Sequence, residues 1–321
     1  MGISHYIKDI GRGARGARAV TRAQAQDLLG QILDGQVTDL EIGAFCIAMR
    51  IKGESAEEMC GFLDALHARS RHFAASRRPT VVLPSYNGAR RLPVLTPLLA
   101  LLLAREGLPV LVHGMRTEAR RVLASEVLEA LGIAATLAPG ARPDELPAIT
   151  PGTVAHIATG QLQPGLARLL AVREVIGLRN PGHSMAKLYA PCAGPHVLVT
   201  SYTHPEYAGM LQDCLQAQGA TALLSRGLEG EVVADPRRTP RYDGFVQGAH
   251  RVLQEQLPGT ASEVPGLPEA IDVATTADYT RRVLAGELPI PAAIAQQLAF
   301  ILQIVQAREA APAQPLPPLH A

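Results

Sequence analysis

The sequence predicts an α/β protein in which a small helical N-terminal domain precedes a larger domain built on a mostly parallel sheet. Two observations predict it. Residues 1–72 carry apolar positions at helical spacing and hold no strand-like run. From Val81 onward, short β-rich runs at 81–83, 110–112, 154–157, 197–200 and 222–224 alternate with helix-like segments, which is the pattern of βα units in a parallel sheet. A length of 321 residues suits two domains, and a hydrophobic content of 47% is ample for a core, which excludes a globally disordered chain.

Thr21 is placed to cap a first helix whose apolar positions are Ala25, Leu28, Leu29, Ile32 and Leu33, with Gly35 as its stop. Asp39 opens a second helix through Ile42, Phe45, Cys46 and Met49, ending near Gly53. Ser55, followed by Glu57 and Glu58, opens a third with Met59, Phe62, Leu63 and Leu66 on one face. The helical domain is expected over residues 1–74, completed by part of 164–186, where a helix at 166–176 packs back on it. The α/β domain is expected over 75–308, with closing helices at 275–286 and 291–308. The proline-rich stretch 309–321 is expected to be a disordered tail.

Composition narrows the function. Cys46, Cys60, Cys192 and Cys214 show no CxxC and no metal-ligand spacing, so they read as buried thiols of a reducing compartment. The N-terminus has no apolar signal region, and the longest apolar run, 98–104, is too short to span a bilayer. Cytoplasm is the expected location, with no membrane partner. Net charge is +1, so charge placement matters more than its total. Only three of the thirty basic residues are lysine, and arginine is the side chain suited to bidentate phosphate contacts.

The segment 81–132 is the most informative. It runs strand, turn, helix, strand, turn, helix. The first turn is Pro84-Ser85-Tyr86-Asn87-Gly88, followed by Arg90 and Arg91, and the second begins at His113-Gly114. In parallel sheets ligands sit where strands end, so both turns are default site positions. The stretch His113-Gly114-Met115-Arg116 through Val127-Leu128-Glu129-Ala130-Leu131-Gly132 resembles the "HGNR…VLEALG" segment of anthranilate phosphoribosyltransferases. The stretch from Val172-Arg173 to Arg179-Asn180 is similar to that family's "VRxxLGxRT", and 224–233 resembles its metal-holding turn. The resemblance covers residues 5–308 and implies the fold shared by these transferases and nucleoside phosphorylases. It also implies phosphoribosyl pyrophosphate and magnesium as the family's ligands.

The chain departs from that family where the phosphate chemistry lies. The glycine-rich "GTGGD" turn corresponds to Leu83-Pro84-Ser85-Tyr86-Asn87, where proline lacks an N–H and tyrosine adds bulk. The "SSKSGS" phosphate loop becomes Ala119-Arg120-Arg121-Val122-Leu123-Ala124. The metal pair becomes Gly230-Glu231, with Glu229 nearby, so Glu229 and Glu231 are only weak metal candidates. No catalytic residue and no cofactor are expected. What replaces the lost groups is positive charge, from Arg90, Arg91, Arg116, Arg120, Arg121, Arg173, Arg179 and Lys187, with Tyr86 as a candidate stacking platform. The bland reading is that each arginine pairs with a nearby acid such as Glu118 or Glu126.

Within the wider family, several strings resemble the TrpD-like, nucleic-acid-binding YbiB group. They are Ile7-Lys8-Asp9-Ile10-Gly11-Arg12-Gly13, Met49-Arg50-Ile51-Lys52-Gly53-Glu54, Pro84-Ser85-Tyr86-Asn87-Gly88-Ala89-Arg90, His204-Pro205-Glu206-Tyr207 and the turn at 227–232. That resemblance implies a non-enzymatic homodimer, joined through the N-terminal helices. It implies binding to single- and double-stranded DNA or RNA without sequence preference. The alternative is a phosphoribosyltransferase of altered specificity that uses Mg2+ and phosphoribosyl pyrophosphate.

Overall fold

The computed structural model describes residues 2–13, 15–116, 120–138, 140–141 and 145–312. Its N-terminal part is helical: α1 (Ser4–Ile10), α2 (Arg22–Leu33), α3 (Asp39–Lys52) and α4 (Ala56–Ala68). Three of these start at reciprocal caps. Thr21, Thr38 and Ser55 each accept a hydrogen bond from the backbone N–H three residues on, and the Gln24, Glu41 and Glu58 side chains accept one from the cap N–H in return. The cap of α3 is therefore Thr38, one residue before the expected start. The seven residues of α1 span too few turns for periodicity to reveal them.

Five parallel strands follow: β1 (Thr80–Pro84), β2 (Val110–Gly114), β3 (Val154–Ala158), β4 (His196–Tyr202) and β5 (Ala222–Arg226). All five coincide with the runs read from sequence. An antiparallel hairpin, β6 (Tyr242–Val246) and β7 (Ala249–Gln254), completes a seven-stranded sheet of order β3-β2-β1-β4-β5-β6-β7. The hairpin has no counterpart among the expected elements. Its turn, Gln247-Gly248, has φ of 49° and 81°, the conformation that closes two-residue hairpins. Edge strand β7 is exposed or half-buried throughout and carries no apolar alternation to betray it.

The helices after the first four are α5 (Thr96–Arg105), α6 (Ala124–Ala130), α7 (Thr159–Leu162), α8 (Pro164–Ile176), α9 (Pro181–Leu188), α10 (Glu206–Ala217), α11 (Val273–Leu284) and α12 (Ala292–Ala310). Strand pleating sorts them into two layers. Val81, Leu83, Val110, Val112, Val197 and Val199 face α5, α6, α11 and α12 in one core. Val82, Leu111, Leu198 and Leu224 face the other way, into a core shared with the N-terminal helices and α8–α10. Helix α8 packs on α2 and α3, and α9 and α10 pack on α4. Residues 309 and 310 still belong to α12, where Glu309 pairs with Arg78 at 2.9 Å, so the expected tail begins later. From residue 313 it lies outside the described residues. Among the described residues no helix is long and apolar enough to cross a membrane.

One buried anion organises the helical part. Glu58 is fully buried and accepts from the Val20 N–H at 3.0 Å, the Ser55 N–H at 2.9 Å and the Lys52 ammonium at 2.6 Å. Removing one partner of a buried ion pair strands the other. Glu58→Ala is expected to lower unfolding free energy by about 3–5 kcal/mol, read as a lower urea midpoint at unchanged slope. A loss no larger than that of an exposed helix substitution would count against this role.

Candidate functional site

The strand order turns at β1 and β4: β2 and β3 lie on one side, β5 on the other. At such a switch point the loops leaving adjacent strands diverge and open a crevice at their carboxyl ends. Here the crevice is largely closed by the chain itself. The Ser85 N–H donates to His113 O at 2.7 Å, and Ala89 and Val122 exchange two backbone hydrogen bonds of 2.9 and 3.1 Å. Gly88 has a φ of 68°, and a Cβ there would stand 2.7 Å from Val122 O, so only glycine fits where the two turns meet.

The turn after β5 then supplies two carboxylates to the turn after β1. Glu231 is buried, and its Oε1 accepts the N–H groups of Asn87 at 3.0 Å and Gly88 at 2.7 Å. Its Oε2 accepts the hydroxyls of Ser85 and of Thr96, the latter at 3.0 Å. Burial pushes the Glu231 carboxyl above its usual range, against these four hydrogen bonds, which favour the anion. Glu229, itself at a φ of 52°, accepts the N–H groups of Arg90 at 2.6 Å and Arg91 at 3.1 Å through Oε2. Asn87 ties the two turns further: its amide donates to Glu229 O, and its Oδ1 accepts from Arg179 at 2.7 Å. The backbone N–H groups of residues 87, 88, 90 and 91 are thus directed at carboxylates of the same chain. A nest of this kind is what binds a phosphate when left open.

This geometry does not fit Glu229 and Glu231 as magnesium ligands. Both oxygens of Glu231 are turned into hydrogen-bond donors, and Glu229 directs an oxygen at backbone N–H groups. Among the described residues no group of three His, Cys, Asp or Glu side chains is placed to hold a metal ion.

The positively charged residues expected at the site divide by burial. Arg90, Arg91 and Arg120 are exposed at the rim. Arg116 is also exposed, but pairs with Glu126 at 2.5 Å and donates to Arg121 O at 2.8 Å, so the bland reading holds for it. Glu118, the other acid considered, lies outside the described residues. Arg121 is buried and donates to Gly88 O at 3.0 Å, which makes it a clamp between the two turns. Arg173 and Arg179 are half-buried, Arg179 against Asn87. Lys187 is buried and donates to Ser201 O at 2.9 Å, which withdraws it from any large ligand. Tyr86, the candidate stacking platform, is also buried, edge-on to His183 at 6.0 Å, and presents no ring to a base. His113 is buried, bonded to Tyr189 O at 2.9 Å, and pushed down by burial to about 4, so it is neutral. The sequence does not show Glu229 and Glu231 as internal acceptors of the β1 turn. A signal of it is present there: a degraded metal pair sits opposite a turn that keeps its N–H groups.

Comparison with known proteins places this arrangement. Residues 4–70 match the model of the glycosyl transferase family, helical bundle domain. The chain is 41% identical over 305 residues to "Uncharacterized protein YbiB" of Escherichia coli (strain K12), covering 94% of each chain. It is 30% identical to the anthranilate phosphoribosyltransferase of Leifsonia xyli subsp. xyli, over 83% of this chain and 75% of that one. Among solved structures, the anthranilate phosphoribosyltransferase (TrpD) of Thermus thermophilus superposes with a TM-score of 0.67 at 20% identity, over 95% of this chain and 91% of that one. The Saccharomyces cerevisiae anthranilate phosphoribosyltransferase in complex with PRPP and Mg gives 0.66 at 14% identity, over 96% and 90%. These likenesses agree in fold with the sheet and helical layers described above.

Lys187 yields a pH test. Burial, with Arg179 nearby, pushes its ammonium down to about 8. Between that pH and the ordinary lysine value of about 10.4 the unfolded chain binds a proton that the folded chain does not, so stability rises with pH across the window. Below the window the buried charge is carried at full cost. Lys187→Met is expected to be at least as stable as the parent near neutral pH and to lack its rise toward alkaline pH, read from urea midpoints. Parallel curves for the two proteins would mean that Lys187 is solvated.

Proposed function

The chain belongs to the TrpD-like family that includes YbiB and the anthranilate phosphoribosyltransferases, and from that premise we propose that it is a dimeric, non-enzymatic protein that binds nucleic acid without sequence preference. The observation that carries the proposal is the pairing of the β1 turn's N–H groups with Glu229 and Glu231. A diphosphate brought to this turn finds its N–H groups already donated to two carboxyl groups, so it meets acceptors where it needs donors. The same two carboxylates hold the turn so that Arg90 and Arg91 stay exposed beside it. Together with Arg120, and with Arg116 beside Glu126, they form a rim suited to phosphodiesters spread along a strand.

Recognition on this reading rests on phosphates. With Tyr86 buried, no aromatic ring of the expected site is offered to a base, and guanidinium groups alone position a backbone without reading sequence. The alternative reading, a phosphoribosyltransferase of altered specificity using Mg2+, draws on the name of the Leifsonia relative. It requires Glu229 and Glu231 to release the β1 turn and turn toward a metal.

The dimer is proposed through the N-terminal helices. Leu40, Ile47 and Ile51 lie along one face of α3, and Val175 and Leu178 stand at the end of the adjacent α8. Leu40 and Val175 are 83% and 87% exposed. Apolar side chains this exposed on two helices that pack together suit an association surface.

Three measurements test the reading. Fluorescence anisotropy with a random-sequence oligonucleotide is expected to show binding at low salt that weakens steeply as salt rises. The Arg90→Ala/Arg120→Ala variant is expected to lower the log–log salt slope by about two. Calorimetry with phosphoribosyl pyrophosphate and Mg2+ is expected to show no saturable heat, and saturable binding there with no oligonucleotide binding favours the transferase. Ile51→Glu with Val175→Glu is expected to convert a dimer to a monomer in light scattering.

A further inference from the structure

A second group of arginines joins Arg91, one of the expected set, to three that lie outside it. Where β5 ends, a cleft of about 390 Å³ opens between the turn after β5, the end of the β1 turn and the segment after β7. Its walls carry four arginines, Arg91, Arg226, Arg237 and Arg238, against two carboxylates, Glu229 and Asp235. Both carboxylates are already engaged. Glu229 accepts the N–H groups of Arg90 and Arg91. Asp235 holds Arg237 in a two-point pair of 3.0 and 2.9 Å, and reaches Arg238 only at 3.8 Å. Arg91, Arg226 and Arg238 are exposed, and among the described residues none of their guanidinium groups makes a hydrogen bond. Three guanidinium groups with donors to spare in one concavity attract a polyanion and can each grip it at two points.

The character of the walls selects the ligand. Among the described residues the lining contains no aromatic side chain to stack on a base or a nucleoside ring. The backbone nest at the β1 turn is taken by Glu229, so its N–H groups are not open to a terminal phosphate. The guanidinium groups come instead from three separate segments, and Arg91 joins the cleft to Arg90 on the rim.

We propose that this cleft seats the sugar–phosphate backbone of a nucleic-acid strand, with Arg91, Arg226 and Arg238 as its phosphate contacts and Arg237 fixed in place by Asp235. The proposal rests on the nucleic-acid reading and adds the strand's path. The strand crosses the β5 side of the sheet end, away from Arg121 and Lys187, which are buried.

The test uses the full-length protein and a labelled random single-stranded oligonucleotide. Arg226→Ala/Arg238→Ala is expected to weaken binding by about tenfold or more and to make the salt slope shallower by about one to two. Arg226→Lys/Arg238→Lys keeps the charge and is expected to retain most of the slope. In the parent protein, oligonucleotide should protect Arg226 and Arg238 from phenylglyoxal, read by mass spectrometry, whether or not the variants fold. If the parent binds but the alanine variant matches it in affinity and slope, or the two arginines react equally with and without oligonucleotide, the path is wrong. Protection by inorganic phosphate alone, at matched phosphate concentration, would make the cleft a small-anion site and overturn the strand. A parent that binds no oligonucleotide at low salt overturns the functional reading, and this inference with it.

Discussion

The carboxylate of Glu231 is the constraint on which the end of the sheet depends. A buried carboxyl group is tolerated only when hydrogen-bond partners surround it. Here the donors are the Ser85 and Thr96 hydroxyls and the N–H groups of Asn87 and Gly88. That requirement explains the identities in the β1 turn. Hydroxyls are needed at 85 and 96, and a residue without a Cβ at 88, because the turn must also press on Val122. Pinning the turn from within leaves Arg90 and Arg91 at its exposed edge. The same atoms close a small site and build a charged surface.

A similar device organises the helical layer. Glu58 completes the cap of α4 while bonding Val20 and Lys52, so one carboxylate joins three segments. Alternate residues of β1, β2, β4 and β5 serve separate cores, one of them continuous with the N-terminal helices. The helical layer is thereby held to the face of the sheet by packing, and the strand ends are left as the place where the turns meet solvent.

Burial sorts the guanidinium groups into two kinds. Arg121 donates to Gly88 O, and Arg179 reaches Asn87, so each acts as a brace for the closed turn. Arg90, Arg91, Arg120, Arg226 and Arg238 remain at the surface, where field lines from several charges add. Beside these charges the N–H groups of the β1 turn are not left open but are taken by Glu229 and Glu231.

Sequence by itself determined the local elements and the layer pattern. The caps at Thr21 and Ser55, the β-rich runs and the helical spacings are interactions between residues a few positions apart, and their chemistry is visible in a string of letters. It also placed Leu83, Ser85 and Tyr86 where the resembled "GTGGD" turn has glycines. Tertiary structure decided what surrounds them. Whether Lys187 or Tyr86 faces solvent depends on which segments cover it, and those segments are distant in the chain. The edge strand β7 escaped for a related reason, since an exposed strand carries no apolar alternation. Glu229 and Glu231 looked like remnants of a metal pair until the fold set them against the N–H groups of the β1 turn. Only there does a carboxylate's need for donors outweigh what its position in the sequence suggested.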